Sequence, residues 1–356
     1  MSIELGIIEG YYGKPWSWQA RRDQVAALRP HGYGFYIYAP KADPYLRKRW
    51  QEDHPAQMTA ALRDLAGHCA DLGVRFGVGL SPFEIYRDFG EEARAVLGRK
   101  LAQLDDLGVQ DLGILFDDMR GDLPGLAKTQ VEILHWIAGR TRASRIIACP
   151  TYYSDDIQLD TGYGRRPEGY LEDFGAALDP AIEAFWTGEE VCSRQYSPGH
   201  LARVTGQLRR KPFLWDNYPV NDGPRMSSYL YIRAFTGRPA SLAPHLAAHA
   251  VNPALQPVLT RIPAISLAES YRSGEAYEYG AAFQRAALEV LGPELAPMVR
   301  RHLGLFNDTG LERLQPDVAD RLRARYEPFD HPGAREILAW LDGDYRITRE
   351  MMEEEG

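Results

Sequence analysis

The sequence predicts an α/β fold, a (β/α)8 TIM barrel followed by a small all-helical appendage. Three observations carry this. Eight short apolar runs recur at 3–8, 33–39, 74–80, 111–116, 144–149, 182–187, 211–215 and 247–251. Segments with helical periodicity separate many of them. Beyond residue 272 the apolar runs cease and only helical patterns continue.

Most of the runs are continuously apolar, such as Ile3-Glu4-Leu5-Gly6-Ile7-Ile8 and Ser144-Arg145-Ile146-Ile147-Ala148-Cys149. Parallel strands covered on both faces read this way, whereas a half-exposed strand alternates. The first helix is expected at 17–29, with Ser17 as N-cap and Val25 and Leu28 on its apolar face. Two more, at 55–72 and 90–107, carry apolar residues at i, i+3, i+4 spacing and stop at Gly73 and Gly108. A fourth runs from Pro124 to about Gly139. Eight strand–helix units in roughly 250 residues is the arithmetic of a closed barrel. The alternative, a doubly wound open sheet, needs a Gly-rich first turn that approaches a pyrophosphate. Here that turn reads Glu9-Gly10-Tyr11-Tyr12-Gly13-Lys14-Pro15-Trp16, with two tyrosines in the way. After residue 272, helices are expected at 275–304, 308–326 and 333–354. The division is a barrel at 1–272 and a helical region at 273–356, where a homodimer contact would be sought.

Composition narrows the function. Lys and Arg number 41 and Asp and Glu 49, for a net charge of −8, which argues against nucleic acid as main partner. Cys69, Cys149 and Cys192 are too few and too scattered for a disulfide framework or a zinc ribbon. His245 and His249 have helical spacing but no following glutamate, so a metal site is not expected. No long apolar stretch reads as a membrane span, and the first residues lack signal-peptide character. A cytoplasmic protein without metal or cofactor is the expectation.

In such a barrel, catalytic groups lie just past the strand carboxyl ends. Those positions hold Gly10 after the first run, Lys41 after the second, Asp117-Asp118 after the fourth, and Cys149-Pro150-Thr151-Tyr152-Tyr153 at the fifth. Trp186-Thr187-Gly188 follow the sixth, Trp215-Asp216-Asn217 through Asn221-Asp222 the seventh, and Asn252 the eighth. Carboxylates, amides, a lysine and aromatics thus gather at one rim, an equipment suited to a sugar. Alternation with Gly113 and Leu115 aims Asp117 inward, and the loop carries Asp118 over the top. Two close carboxylates do not both ionise easily, so one of them is expected to titrate high.

At these residues the sequence resembles the O-GlcNAcase and bacterial β-N-acetylglucosaminidase family, glycoside hydrolase family 84. The resemblance runs from about residue 5 to about 270. It rests on the turn at Glu9–Trp16, Tyr38-Ala39-Pro40-Lys41, Leu115-Phe116-Asp117-Asp118, Cys149-Pro150-Thr151, Trp186-Thr187-Gly188 and Leu214-Trp215-Asp216-Asn217 with Asn221-Asp222. It implies a retaining, exo-acting enzyme whose substrate supplies its own nucleophile, the 2-acetamido oxygen, and forms an oxazoline. By the same resemblance Asp117 accepts the acetamide N–H and Asp118 is the general acid and base. Tyr153 bonds near the acetamido oxygen, while Cys149, Thr187, Val191 and Trp215 line the acetyl pocket. Gly10 and Lys41 lie on the 3-hydroxyl side, Asn217 beside Asp117, Asp222 on the 4- and 6-hydroxyls, and Asn252 near the 6-hydroxyl. The sequence departs from the family pattern at Ala42-Asp43, Tyr152 and Gly223-Pro224, all toward the rim. The implied partner is a GlcNAc-containing glycoconjugate. The rival readings are a hyaluronidase-like endo-glycosidase on the same barrel, a catalytically silent GlcNAc-binding module and a metal-dependent hydrolase.

Overall fold

A computed structural model describes residues 3–355. Eight parallel strands close on themselves in sequence order: β1 (Leu5–Glu9), β2 (Tyr33–Tyr38), β3 (Arg75–Leu80), β4 (Asp111–Leu115), β5 (Arg145–Cys149), β6 (Glu183–Trp186), β7 (Phe213–Asp216) and β8 (Ala248–Val251). Closure is made by β1 against β8, with Leu5 opposite His249 and Ile7 opposite Val251. All eight expected runs are strands, and their near-complete burial is the reason they lack polar alternation.

Between the strands lie α1 (Trp18–Leu28), α2 (Ala56–Asp71), α3 (Glu91–Asp106), α4 (Leu126–Ala138), α5 (Ile157–Tyr163), α6 (Tyr170–Ala177) and α7 (Pro198–Leu208), with α8 (Arg261–Ser273) after β8. Ser17 does cap α1, its hydroxyl accepting from the Ala20 N–H at 3.1 Å. The expectation of one helix per strand fails at two connections. Two short helices, α5 and α6, join β5 to β6, and only 3₁₀ turns at Met226–Ser228 and Ala240–His245 join β7 to β8. Pro219, Pro224, Pro239 and Pro244, with Gly223 and Gly237, punctuate that last segment too densely for an α-helix.

The amino end of the barrel is closed by charge. Asp111, fully buried, accepts from Arg75 at 3.1 Å and from Arg145 at 3.0 Å, and Arg145 also reaches Glu4 at 2.9 Å. The carboxyl end remains open for the site.

Past residue 273 come α9 (Tyr279–Arg301), α10 (Pro316–Tyr326), α11 (Pro332–Leu341) and α12 (Arg349–Glu355). The expected helix at 333–354 is two helices, because the chain turns at Gly343, where φ is 83°. The one expected at 308–326 begins only at Pro316, after a π turn at Leu305–Thr309. Phe283, Phe306, Tyr326, Trp340 and Ile347 belong to the same apolar cluster as the barrel strands, so the packing is continuous across residue 272. Glu336 of α11 joins the two parts. Its carboxylate accepts the N–H groups of Val258 and Leu259 at 2.8 and 2.9 Å. No helix among the described residues is long and apolar enough to cross a membrane.

Candidate active site

The first strand turns at Gly10 because nothing larger fits there. A Cβ on Gly10 would come within 2.2 Å of the Trp215 indole. Below the turn, buried Glu9 accepts from Arg21 at 2.6 Å, Tyr36 at 2.6 Å and Tyr11 at 2.9 Å. Tyr11 is thereby committed to the core and Tyr12 to the cavity. The Tyr11 carbonyl then accepts the Lys41 N–H at 3.0 Å, which fixes where the second strand delivers its lysine.

Lys41 Nζ donates to Asp117 Oδ2 and lies 3.6 Å from Asp118 Oδ2. The other oxygen of Asp117, Oδ1, is buried and has no hydrogen-bond partner. Such an oxygen costs about 1–3 kcal/mol unless a donor reaches it. Asp118 follows with φ of 54°, a left-handed backbone unusual for any residue but glycine. Arg47 is bound up with this conformation, because its Nη2 donates to the Asp118 carbonyl at 3.0 Å. Three tyrosine hydroxyls meet the Asp118 carboxylate: Tyr12 at 2.8 Å on Oδ2, and Tyr153 at 3.0 Å and Tyr163 at 2.9 Å on Oδ1.

The expectation that one carboxyl of the pair titrates high is not met at Asp118. Burial does push its carboxyl up. Lys41, Arg47 and the hydroxyls of Tyr12 and Tyr163 together outweigh burial and hold it at about 2. Asp118 is therefore an ionised acceptor in this arrangement. Donating a proton requires that an incoming oxygen replace part of its tyrosine shell.

All the residues singled out from the sequence border one cavity of about 1700 Å³: Gly10, Lys41, Asp117, Asp118, Cys149, Tyr153, Thr187, Val191, Trp215, Asn217, Asp222 and Asn252. Asn217 organises three of its neighbours. Its Oδ1 accepts from Trp215 Nε1 at 3.0 Å and Asn252 Nδ2 at 2.8 Å, and its Nδ2 donates to the Val191 carbonyl at 2.8 Å. Three of its hydrogen bonds thus hold the pocket wall together. Asn252 Oδ1 in turn accepts the Gly10 N–H at 3.2 Å. Burial raises the Cys149 thiol well above its ordinary value, so it is a neutral, compact wall. Asp222 accepts the Tyr12 N–H at 3.0 Å, and burial pushes its carboxyl up to about 6.

Beneath the pocket, Asp216 accepts from Arg238 at 2.6 and 2.8 Å and pairs with His249 Nε2 at 3.0 Å. Burial would raise Asp216, but Arg238 and His249 outweigh it and leave it lowered. Arg238 also donates to the Ser193 carbonyl at 2.8 Å, which ties down the loop carrying Val191. His249 is on β8 and His245 in a 3₁₀ turn, so the two do not share a helix face. Among the described residues no cluster of His, Cys, Asp or Glu has metal-binding geometry, and all three cysteines are free. Asp43, one of the departures from the family pattern, is buried beside His54 Nε2 at 3.0 Å and caps a 3₁₀ turn, away from the cavity lining. Trp186 is fully buried with its Nε1 on His200 at 2.9 Å, so Trp215 alone of the two strand-end tryptophans reaches the pocket.

Sequence reading missed Tyr12, Tyr163 and Arg47. Tyr12 had a signal, since one of two adjacent tyrosines after a strand must turn away from the other. Tyr163 and Arg47 had none. Each is one of many similar residues in a connection whose path only the closed barrel sets.

The chain is a closed parallel barrel with two adjacent carboxylates, a lysine and several aromatic side chains at its carboxyl mouth, the rim where the catalytic groups of such barrels lie. The chain belongs to the beta-N-acetylglucosaminidase family, whose sequence pattern matches residues 5–304. It is 27% identical over 277 residues to the protein O-GlcNAcases of Rattus norvegicus and Mus musculus, a match covering 75% of this chain and 30% of each relative. The chain thus spans about a third of the length of those curated relatives. A solved structure of a mutant O-GlcNAc hydrolase from Thermobaculum terrenum superposes with a TM-score of 0.77 at 30% identity, over 91% of this chain and 70% of that one.

Proposed function

We propose that this chain hydrolyses terminal β-linked N-acetylglucosamine with retention, O-GlcNAcase-like, using the substrate's acetamide as nucleophile. The observation that carries the reading is the partnerless, buried Oδ1 of Asp117 at a cavity whose lysine already holds Oδ2. An acetamide N–H is a donor of the right kind for it. With the N–H held there, the acetamide carbonyl oxygen attacks the anomeric carbon as the glycosidic C–O bond breaks. The leaving oxygen takes its proton from Asp118. The oxazoline so formed keeps its positive charge beside Asp117, which holds its N–H. Asp118, now a base, removes a proton from water as the water oxygen bonds to the anomeric carbon and the oxazoline C–O bond there breaks, which restores the acetamide. Holding the nucleophile in place replaces a bimolecular encounter, and proton transfer contributes typically about 10²–10⁴-fold.

Supporting this are the enclosing wall of Cys149, Thr187, Val191 and Trp215 for the acetyl methyl, and Asp222 with Lys41 for the ring hydroxyls. Tyr153 is assigned to the acetamido oxygen. Its hydroxyl, now on Asp118, becomes available once the acid is protonated. A reducing cytoplasmic setting suits three free cysteines, and a dimer contact is assigned to the helices after residue 272.

The test uses aryl β-GlcNAc substrates of graded leaving-group quality. Asp118→Asn should lose activity most with poor leaving groups, and Asp117→Asn should lose it with all of them. A thiazoline mimic of the oxazoline should inhibit strongly. Identical leaving-group profiles for the two variants would sink the division of roles. Cleavage of a hyaluronan-type polymer without release of terminal GlcNAc would favour the endo reading, and tight GlcNAc binding without turnover the silent module.

A further inference from the structure

We propose that helix α12 is a strap across the outer part of the substrate cavity, and that Met352 helps to select the group attached to the sugar. This rests on the reading of the cavity as a GlcNAc site. Met352 borders the same cavity as Tyr12, Asp118 and Asp222. That cavity, about 1700 Å³, exceeds the roughly 300–1,000 Å³ of an ordinary small-molecule pocket. Room is left for a linked group beyond one sugar.

Seven residues, Arg349-Glu350-Met351-Met352-Glu353-Glu354-Glu355, would not hold a helix by propensity alone. Three anchors hold this one. Glu355 Oε2 accepts the Gly13 N–H at 2.8 Å. Lys48 Nζ donates to the Glu353 and Glu354 carbonyls at 2.6 and 3.2 Å, a cation at the helix carboxyl end. Just before the helix, buried Ile347 donates its N–H to Ser227 Oγ at 3.1 Å. The Ile347 side chain packs where a Cβ on Gly13 would stand, 2.5 Å from its Cδ1, and Gly13 has φ of 94°.

Every anchor is on a loop that carries the site. Gly13 follows Tyr12, which touches both Asp118 and Asp222. Lys48 follows Arg47, which holds the Asp118 carbonyl. Ser227 closes the turn after Asp222. The strap therefore bridges the first, second and seventh strand loops over one side of the mouth. It brings the Met352 thioether to the cavity, which Met226 of the β7–β8 connection also borders, and thioethers adapt to varied apolar shapes. Its remaining side chains are mainly glutamates, which disfavour an acidic partner. Such a rim admits an aryl group or an extended, non-acidic peptide and hinders a broad folded surface.

The experiment compares kcat/KM for an aryl β-GlcNAc with kcat/KM for a folded protein bearing serine-linked GlcNAc. It is run on the full chain, on a variant lacking residues 349–356, and on Met352→Ala. The expected result is that the ratio of folded-protein to aryl turnover rises on the order of tenfold in the deletion and severalfold in Met352→Ala. Because both substrates are measured on one preparation, any loss of folded enzyme cancels in the ratio. A ratio unmoved in both variants overturns the strap, whatever happens to the absolute rates. Failure of the full chain to release aryl alcohol from the β-GlcNAc would instead overturn the functional reading beneath it.

Discussion

At Asp222, the sugar-binding role proposed above and the stability of the fold pull in opposite directions, and the conflict can be measured. The carboxyl is raised from 3.8 to about 6, chiefly by burial, with Asp118 adding repulsion. A raised value means that the folded chain holds this proton more tightly than the unfolded chain. Stability is therefore greatest below the unfolded value, and falls as pH rises through the interval between the two. At about 1.36 kcal/mol per pH unit over the interval between the two values, the cost at neutral pH is about 3 kcal/mol. The side chain is partly open to solvent, so screening brings the expected effect to about 1–3 kcal/mol. Asp222→Asn keeps the shape and removes the charge. In urea denaturation it should exceed the parent by that amount near pH 7.5, and by only about a third of it near pH 4.5. Glu336, pushed up to about 7 by burial, titrates in both proteins and cancels in the difference. The same variant should lose on the order of 100-fold in kcat/KM, since a neutral amide replaces charge-assisted hydrogen bonds to the sugar. No gain in stability near neutral pH, or a gain equal at both pH values, would refute the reasoning.

Two further outcomes follow from the site. Tyr163→Phe removes one of the donors that keep Asp118 ionised, so the Asp118 carboxyl should rise by about one unit. With Asp118 as the proposed acid, the alkaline limb of kcat, which reports the substrate complex, moves to higher pH, and an unmoved limb would count against the contact. Gly10→Ala drives a methyl into the Trp215 indole, so activity toward N-acetyl substrates should fall at least tenfold. The cost in stability should be about 1–3 kcal/mol, read from the melting transition.

The acid pair was legible in the sequence because it stands directly after a strand whose apolar run is complete. Its titration was not legible. Close spacing argues for one raised carboxyl, yet Lys41, Arg47 and three tyrosines arrive from three other strand connections and reverse the direction for Asp118. The β7–β8 connection breaks the one-helix-per-strand pattern for a local reason, its four prolines and two glycines.

By itself the sequence determined which residues are strands, because burial on both faces leaves a continuous apolar run. It also determined which polar residues end those strands. Only the tertiary structure decided what those residues touch. Gly10 meets Asn252 and Gly13 meets Glu355 across more than two hundred residues. Such meetings depend on the angle at which the barrel closes and on the path of each loop. No local preference of the chain encodes either.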